Sequence, residues 1–179
     1  MISGNGNCRE VFINGDCVSG VFNTPYKADI DVIFSTAACL NSMTNILNWR
    51  LEQKGYTPFQ CGIGLAYGRA LMLKAGYKGS GINDVIWMGD VVNEASNLCH
   101  QGNKGARSTQ QVSIAVYDNL KDDNKKLLNP VYLSNGWKVN QYEGNIINTK
   151  MDQWLKEQKE KAAARSMFSG YSLYGQTWR

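Results

Sequence analysis

Polar and apolar positions along this 179-residue chain change their period several times, and each change marks an expected element. Arg9 to Ile13 alternates as a β-strand does. Asn14-Gly15 follows, two residues that tolerate positive φ, so a hairpin with Cys17 to Phe22 as its returning strand is predicted. Past Pro25, the residues Ile33, Ala37, Leu40, Leu47 and Leu51 recur at spacings of three, four and seven. That is one face of a long helix, with Gly55 as its expected stop. Phe59 to Leu65 predicts a strand, Tyr67-Gly68-Arg69 a turn, and Ala70 to Ala75 a strand returning from it. Lys78-Gly79-Ser80-Gly81 reads as a flexible loop and Asp84 to Met88 as a short buried strand. Gly89-Asp90 breaks that strand, with Asp90 as N-cap of a helix from Val91 to His100. A strand over Gln110 to Val116, a short helix near Tyr117 to Lys121 and a hairpin of Val131 to Leu133 with Trp137 to Tyr142 complete the core pattern. A charged helix from Met151 to Arg165 and a Gly, Ser and aromatic tail from Ser169 to Arg179 end the chain. The tail is either loose or docked on a partner.

Composition narrows the class. The chain is 43% hydrophobic and 19% charged with three prolines, the profile of one globular domain with a core of its own. No window approaches the ~20 apolar residues of a membrane span. Met1 to Asn7 are small and polar, without the apolar centre of a signal peptide. A cytoplasmic protein with no membrane association is expected. The net charge of +4 has no long basic block behind it, so it favours anionic ligands without singling out nucleic acid. Cys8, Cys17, Cys39, Cys61 and Cys99 are odd in number and form no Cys-x-x-Cys pair, so reduced thiols are expected. His100 is the only histidine, which leaves little for a Ser-His-Asp triad or a multi-histidine metal site. A metal here would be a hard cation on carboxylate oxygens.

Three constellations carry candidate chemistry. In Ile13-Asn14-Gly15-Asp16-Cys17-Val18, a tight hairpin puts Asp16 just after the turn, where its carboxylate can face solvent and a cation. Alone, an Asp after Asn-Gly is also ordinary turn chemistry. In Met88-Gly89-Asp90-Val91-Val92-Asn93-Glu94-Ala95-Ser96, a strand enters a Gly turn and then a helix. The helix N-terminus can hold an anion and Asn93 can reach a ribose or a phosphate. A capped helix with a surface asparagine explains the same residues. In Cys61-Gly62-Ile63-Gly64-Leu65-Ala66-Tyr67-Gly68, the glycines lie in a strand and its turn, not between strand and helix. They suit close strand approach better than a dinucleotide fingerprint.

Taken in order, Gly15-Asp16, Gly62-Ile63-Gly64 with Tyr67-Gly68, and Gly89-Asp90-Val91-Val92-Asn93 with Ala95-Ser96 resemble the successive motifs of class III nucleotidyl cyclases, over roughly Arg9 to Thr149. The resemblance implies an α+β, ferredoxin-like core, with residues 1–149 as the catalytic domain and 150–179 as a C-terminal helix and tail. It implies a head-to-tail homodimer with nucleotide sites at the interface. It also implies two divalent ions, Mg²⁺ or Mn²⁺, held by two aspartates. Asp16 matches the second of these. The first belongs on an earlier strand, which this sequence, beginning just before the hairpin, lacks. Asn93 matches the ribose-orienting asparagine. The family's transition-state arginine falls at Asn97, a departure, and Arg107, Arg69 and Arg9 are the cations available instead. Lys138 and Lys150 are candidates for the triphosphate lysine.

The base-reading positions also depart. They fall at Phe12 and Ile86, where purine cyclases place charged or polar groups. A site built to hydrogen-bond a purine edge loses heavily without such groups, whereas Phe12 can stack on a smaller base. With Tyr142-Glu143-Gly144-Asn145-Ile146-Ile147-Asn148-Thr149, the pattern resembles the pyrimidine cyclases of bacterial Pycsar anti-phage systems. Those make cyclic UMP or cyclic CMP to switch on a separate effector. The expected substrate is therefore UTP or CTP, UTP weakly preferred. The alternatives are an adenylyl or guanylyl cyclase and a non-catalytic dimerisation or regulatory module.

Overall fold

The computed structural model describes the backbone of residues 1–75 and 84–173 and the side chains of residues 1–74 and 85–165. The reading of Lys78 to Gly81, and of the tail beyond Leu173, lies outside these residues. The fold is α+β, as expected.

Strands β1 (Cys8–Asn14) and β2 (Cys17–Phe22) form the expected hairpin. Asn14 pairs with Cys17, so the turn residues are Gly15 and Asp16, not Asn14 and Gly15. Gly15 takes φ 60°, the positive φ that a two-residue turn of this hand requires at its first position. Asp16 therefore sits in the turn itself. The other end of the hairpin is tied to the following helix, where Asn7 Nδ2 donates to Asp29 Oδ1 at 2.8 Å and Asn5 Nδ2 to Thr36 Oγ1 at 3.1 Å.

Helix α1 (Lys27–Gln53) is the structural spine. At its end the Tyr56 N–H reaches Leu51 O and the Gly55 N–H reaches Glu52 O, with Gly55 at φ 76°. This glycine-terminated double bond satisfies carbonyls that the helix itself leaves open. Contrary to the sequence reading, an 18-residue window of α1 reaches a mean hydropathy of 1.3 and has the length and composition of a membrane-crossing helix. Its apolar residues are interspersed with Ala, Ser, Thr and Cys, so no continuous run announces it. Here Ile30, Phe34 and Ala37 are buried against the sheet as core.

That sheet has four strands in the order β3 (Ile63–Leu65), β6 (Gln110–Ser113), β8 (Lys138–Gly144) and β7 (Asn129–Tyr132). β3 runs parallel to β6, and the other neighbours are antiparallel. The predicted strand over Phe59 to Leu65 shortens to three residues. The predicted strand over Gln110 to Val116 stops at Ser113, because the Ser113 hydroxyl accepts from Val116 N and caps α3 (Ile114–Asn119). A short α4 (Asp122–Lys125) follows. Buried Asp31 of α1 holds this region, its Oδ1 accepting from Lys121 N at 3.1 Å and Asn124 Nδ2 at 2.6 Å. α5 (Thr149–Leu173) is longer than the predicted charged helix and continues through 169–173, where a tail was expected. Its Leu155 is buried beside Trp49 of α1.

β4 (Leu71–Ala75) and β5 (Asp84–Met88) form a separate two-stranded sheet. β4 does not return along β3, and β5 is not buried as predicted: Ile86 is 44% and Met88 49% exposed. An apolar run announces a strand but says nothing about what covers it.

The two faces of the four-stranded sheet differ. Leu65, Val112 and Tyr142 face α1 and join Phe34, Val116, Leu120 and Leu128 in the core. On the other face lies α2 (Asp90–Gln101). It comes so close to β3 that a Cβ on Gly64 would overlap the backbone of Ala95 and Cys99, and one on Gly62 the carbonyl of Cys99. The glycines do permit close approach, but of a helix to a strand and not of strand to strand. Gly64→Ala is expected to destabilise the fold by about 2 kcal/mol or more, the cost of overpacking against fixed backbone. Gly6→Ala, whose new Cβ meets nothing within 4 Å, should leave stability unchanged, and urea titration of the two variants measures both.

Candidate functional site

α2 begins at a backbone corner. Gly89 has φ 135°, and its carbonyl accepts from Val92 N at 3.0 Å and Asn93 N at 3.4 Å. Gly89 is thus the cap position, and Asp90 is the first helical residue with no side-chain capping bond. Its carboxylate still favours the positive end of the helix dipole. From there Asp90, Asn93, Glu94, Asn97 and Gln101 follow at helical spacing along one side. With Gln141 of β8 they line an open, polar groove of about 500 Å³. The structure therefore brings Asn93 and Asn97 together. Burial pushes the Glu94 carboxyl above its ordinary value.

The remaining predicted residues lie elsewhere. Asp16 is exposed at the hairpin tip, and Cys17 beside it approaches Cys61 and Cys99. Burial, and then the neighbouring thiols, push the Cys61 and Cys99 thiols upward. All five cysteines are free. Among the described residues no group of three or more His, Cys, Asp or Glu converges as a metal site. Asp16 is one carboxylate, whereas a hard cation takes about six oxygens, so the donor set among the described residues is partial.

Phe12 and Ile86 are not turned toward each other. Trp87 Nε1 donates to Glu10 Oε2 at 2.6 Å, which joins β5 to β1. Strand alternation puts Phe12 on the Glu10 side of β1 and Ile86 on the opposite side from Trp87. Arg107 faces Glu143, its guanidinium 4.0 Å from Oε2, and does not line the groove. Lys138 does not line it either. Its ammonium donates to Tyr142 Oη at 3.1 Å, and that bond raises its pKa. The Tyr142 ring is committed to the core, stacked on Tyr117 at 3.5 Å.

Sequence reasoning missed Gln101, Gln141 and the Glu10–Trp87 bond. Gln101 was legible in principle, because Asn93, Asn97 and Gln101 are spaced by four and share one helix side. Gln141 and the Glu10–Trp87 bond depend on which elements meet, and no local pattern carries that.

No family model matches the chain. It is 34% identical over 157 residues to a uridylate cyclase of Treponema porcinum, an alignment covering 88% of this chain and 54% of that protein. It is 36% identical over 165 residues to a uridylate cyclase of Gulbenkiania mobilis, covering 85% of this chain and 64% of that protein. The chain thus spans between about half and two thirds of the length of the curated relatives it matches. At that identity over most of its length, the chain is a homologue of these two cyclases and carries the motif order of a class III nucleotidyl cyclase catalytic domain.

Proposed function

We propose that the intact protein converts UTP, or CTP, to its 3′,5′-cyclic monophosphate and pyrophosphate, with UTP weakly preferred. The observation that carries this reading is the match to two uridylate cyclases across most of this chain. In the reaction the ribose 3′-oxygen bonds to the α-phosphorus, the bond from that phosphorus to the β-phosphate oxygen breaks, and the 3′-hydroxyl proton leaves to base. Asn93, exposed on the groove, would orient the ribose. Asp16 would hold Mg²⁺ or Mn²⁺ with a further carboxylate from outside the described residues. Bound there, two such ions would favour the 3′-alkoxide and offset charge on the triphosphate.

Asp16, at the hairpin tip, is not among the residues that line the Asn93 groove. The resemblance to class III cyclases supports a homodimer in which Asp16 of one subunit serves the Asn93 groove of the other. The cyclic product would act as a second messenger on a separate effector, as part of anti-phage defence. Phe12, half-buried on β1, offers an aromatic face to a small base and no hydrogen bond to a purine edge.

Given each ribonucleoside triphosphate with Mn²⁺, the intact protein should show kcat/KM for UTP or CTP at least tenfold above ATP and GTP, about 1.4 kcal/mol of barrier difference. A preference for ATP or GTP would overturn the base assignment. Phe12→Lys should erode the preference.

Asp16→Ala should abolish turnover with the unfolding midpoint unchanged, because the side chain is exposed. Mixing Asp16→Ala with Asn93→Ala subunits should restore activity, since a mixed dimer keeps one intact site. Inactive mixtures in which mixed dimers are shown to form would exclude a shared site.

A further inference from the structure

Gln101 and Gln141, which line the α2–β8 groove, end a buried chain of side-chain amides whose direction is set at its other end. Glu143 Oε2 accepts from Ser108 N at 3.1 Å and from Gln111 Nε2 at 2.9 Å. A carboxylate placed this way only accepts, so the Gln111 amide must present its nitrogen there. That nitrogen also donates to Ser108 O at 2.7 Å. Gln111 is 0% exposed and has no other orientation open to it. Its Oε1 therefore faces Gln141, whose Nε2 donates to it at 2.6 Å. The same Gln141 nitrogen donates to Gln101 Oε1 at 3.0 Å. The oxygen of Gln101 is thus occupied from within, and its NH₂ is left as the group it can offer to the groove.

We propose that Gln101 is a ligand-binding residue, a fixed hydrogen-bond donor to an oxygen of the bound nucleotide. This rests on the cyclase reading above and names the donor in a groove where the family's arginine is replaced by Asn97. Gln101 lies one turn beyond Asn97 on the same side of α2, about 6 Å further along the axis. The groove's charged lining residues are the carboxylates Asp90 and Glu94, so an oriented neutral amide is the donor the wall supplies. The acceptor is a base carbonyl or a phosphoryl oxygen, the same chemistry from two parts of one nucleotide. Orientation is the reason for the buried chain: an amide free to flip presents an oxygen half the time and repels the same ligand atom.

The test separates donating from merely accepting. Gln101→Met removes both the groove donor and the acceptor for Gln141. Gln101→Lys removes that acceptor but keeps a donor. UTP, uridine and inorganic triphosphate are titrated calorimetrically into the intact protein and each variant. The expected result is at least tenfold weaker UTP binding by the Met variant, with the Lys variant within threefold of the unmodified protein. Uridine sharing the loss identifies a base carbonyl, and inorganic triphosphate sharing it identifies a phosphoryl oxygen. Met and Lys variants that behave alike, whether both bind normally or both fail, overturn the proposal, because a structural role for Gln101 is lost equally in both. A protein that makes no cyclic nucleotide yet shows the Met–Lys difference refutes the cyclase reading alone. One that cyclises UTP with both variants alike refutes only the donor role.

Discussion

The close seat of α2 on β3 is the constraint on which the site depends. Gly62, Gly64 and Gly102 remove the side chains that would hold the helix off, and backbone meets backbone at all three. Because neither partner can move aside, the helix has one position and one rotation. That rotation turns Ala95 and Cys99 toward the strand and presents Asn93, Asn97 and Gln101 to β8. A side chain on any of these glycines would shift the groove wall as well as the packing.

The sheet between the helices joins two kinds of interior. Toward α1 it is apolar, and its one buried amide is fully used: Gln110 Nε2 donates to Ile146 O at 2.7 Å and Gln110 Oε1 accepts from Ile146 N at 2.8 Å. Those bonds hold the segment after β8 to β6, and Asn41 Nδ2 donating to Ile146 O at 3.0 Å and Ser42 Oγ accepting from Asn148 N at 2.8 Å clip it onto α1. Toward α2 the same strands carry Gln111, Gln141 and Glu143. Alternation along β6 and β8 makes this possible, since neighbours in sequence face opposite layers. One face supplies cohesion, and the other supplies a polar wall whose donors and acceptors have fixed directions.

The parts with a reading in nucleotide chemistry lie on different elements. The groove is built from α2 and β8, the candidate metal carboxylate stands on a hairpin tip, and the apolar β4–β5 pair is exposed. Among the described residues no group of three or more metal-ligating side chains gathers at Asp16.

Much of this was legible along the chain. Asn-Gly-Asp marked the hairpin, the spacing of Ile33, Ala37, Leu40, Leu47 and Leu51 marked α1, and Gly89-Asp90 marked the start of α2. These are local signals: a turn needs positive φ, a helix repeats every 3.6 residues, and both can be read from neighbours. The order of the glycine motifs also pointed to the cyclase family. Only the tertiary structure decided that Gly15 and Asp16 form the turn, because strand register depends on both strands at once. It decided that β4 pairs with β5, and that Trp87, not Ile86, turns toward β1. It separated Arg107 and Lys138 from the groove by giving them Glu143 and Tyr142 as partners. It also revealed the amide chain from Glu143 to Gln101, which joins residues far apart in sequence. A hydrogen-bond direction passes through space from acceptor to donor, and no period in the sequence records it.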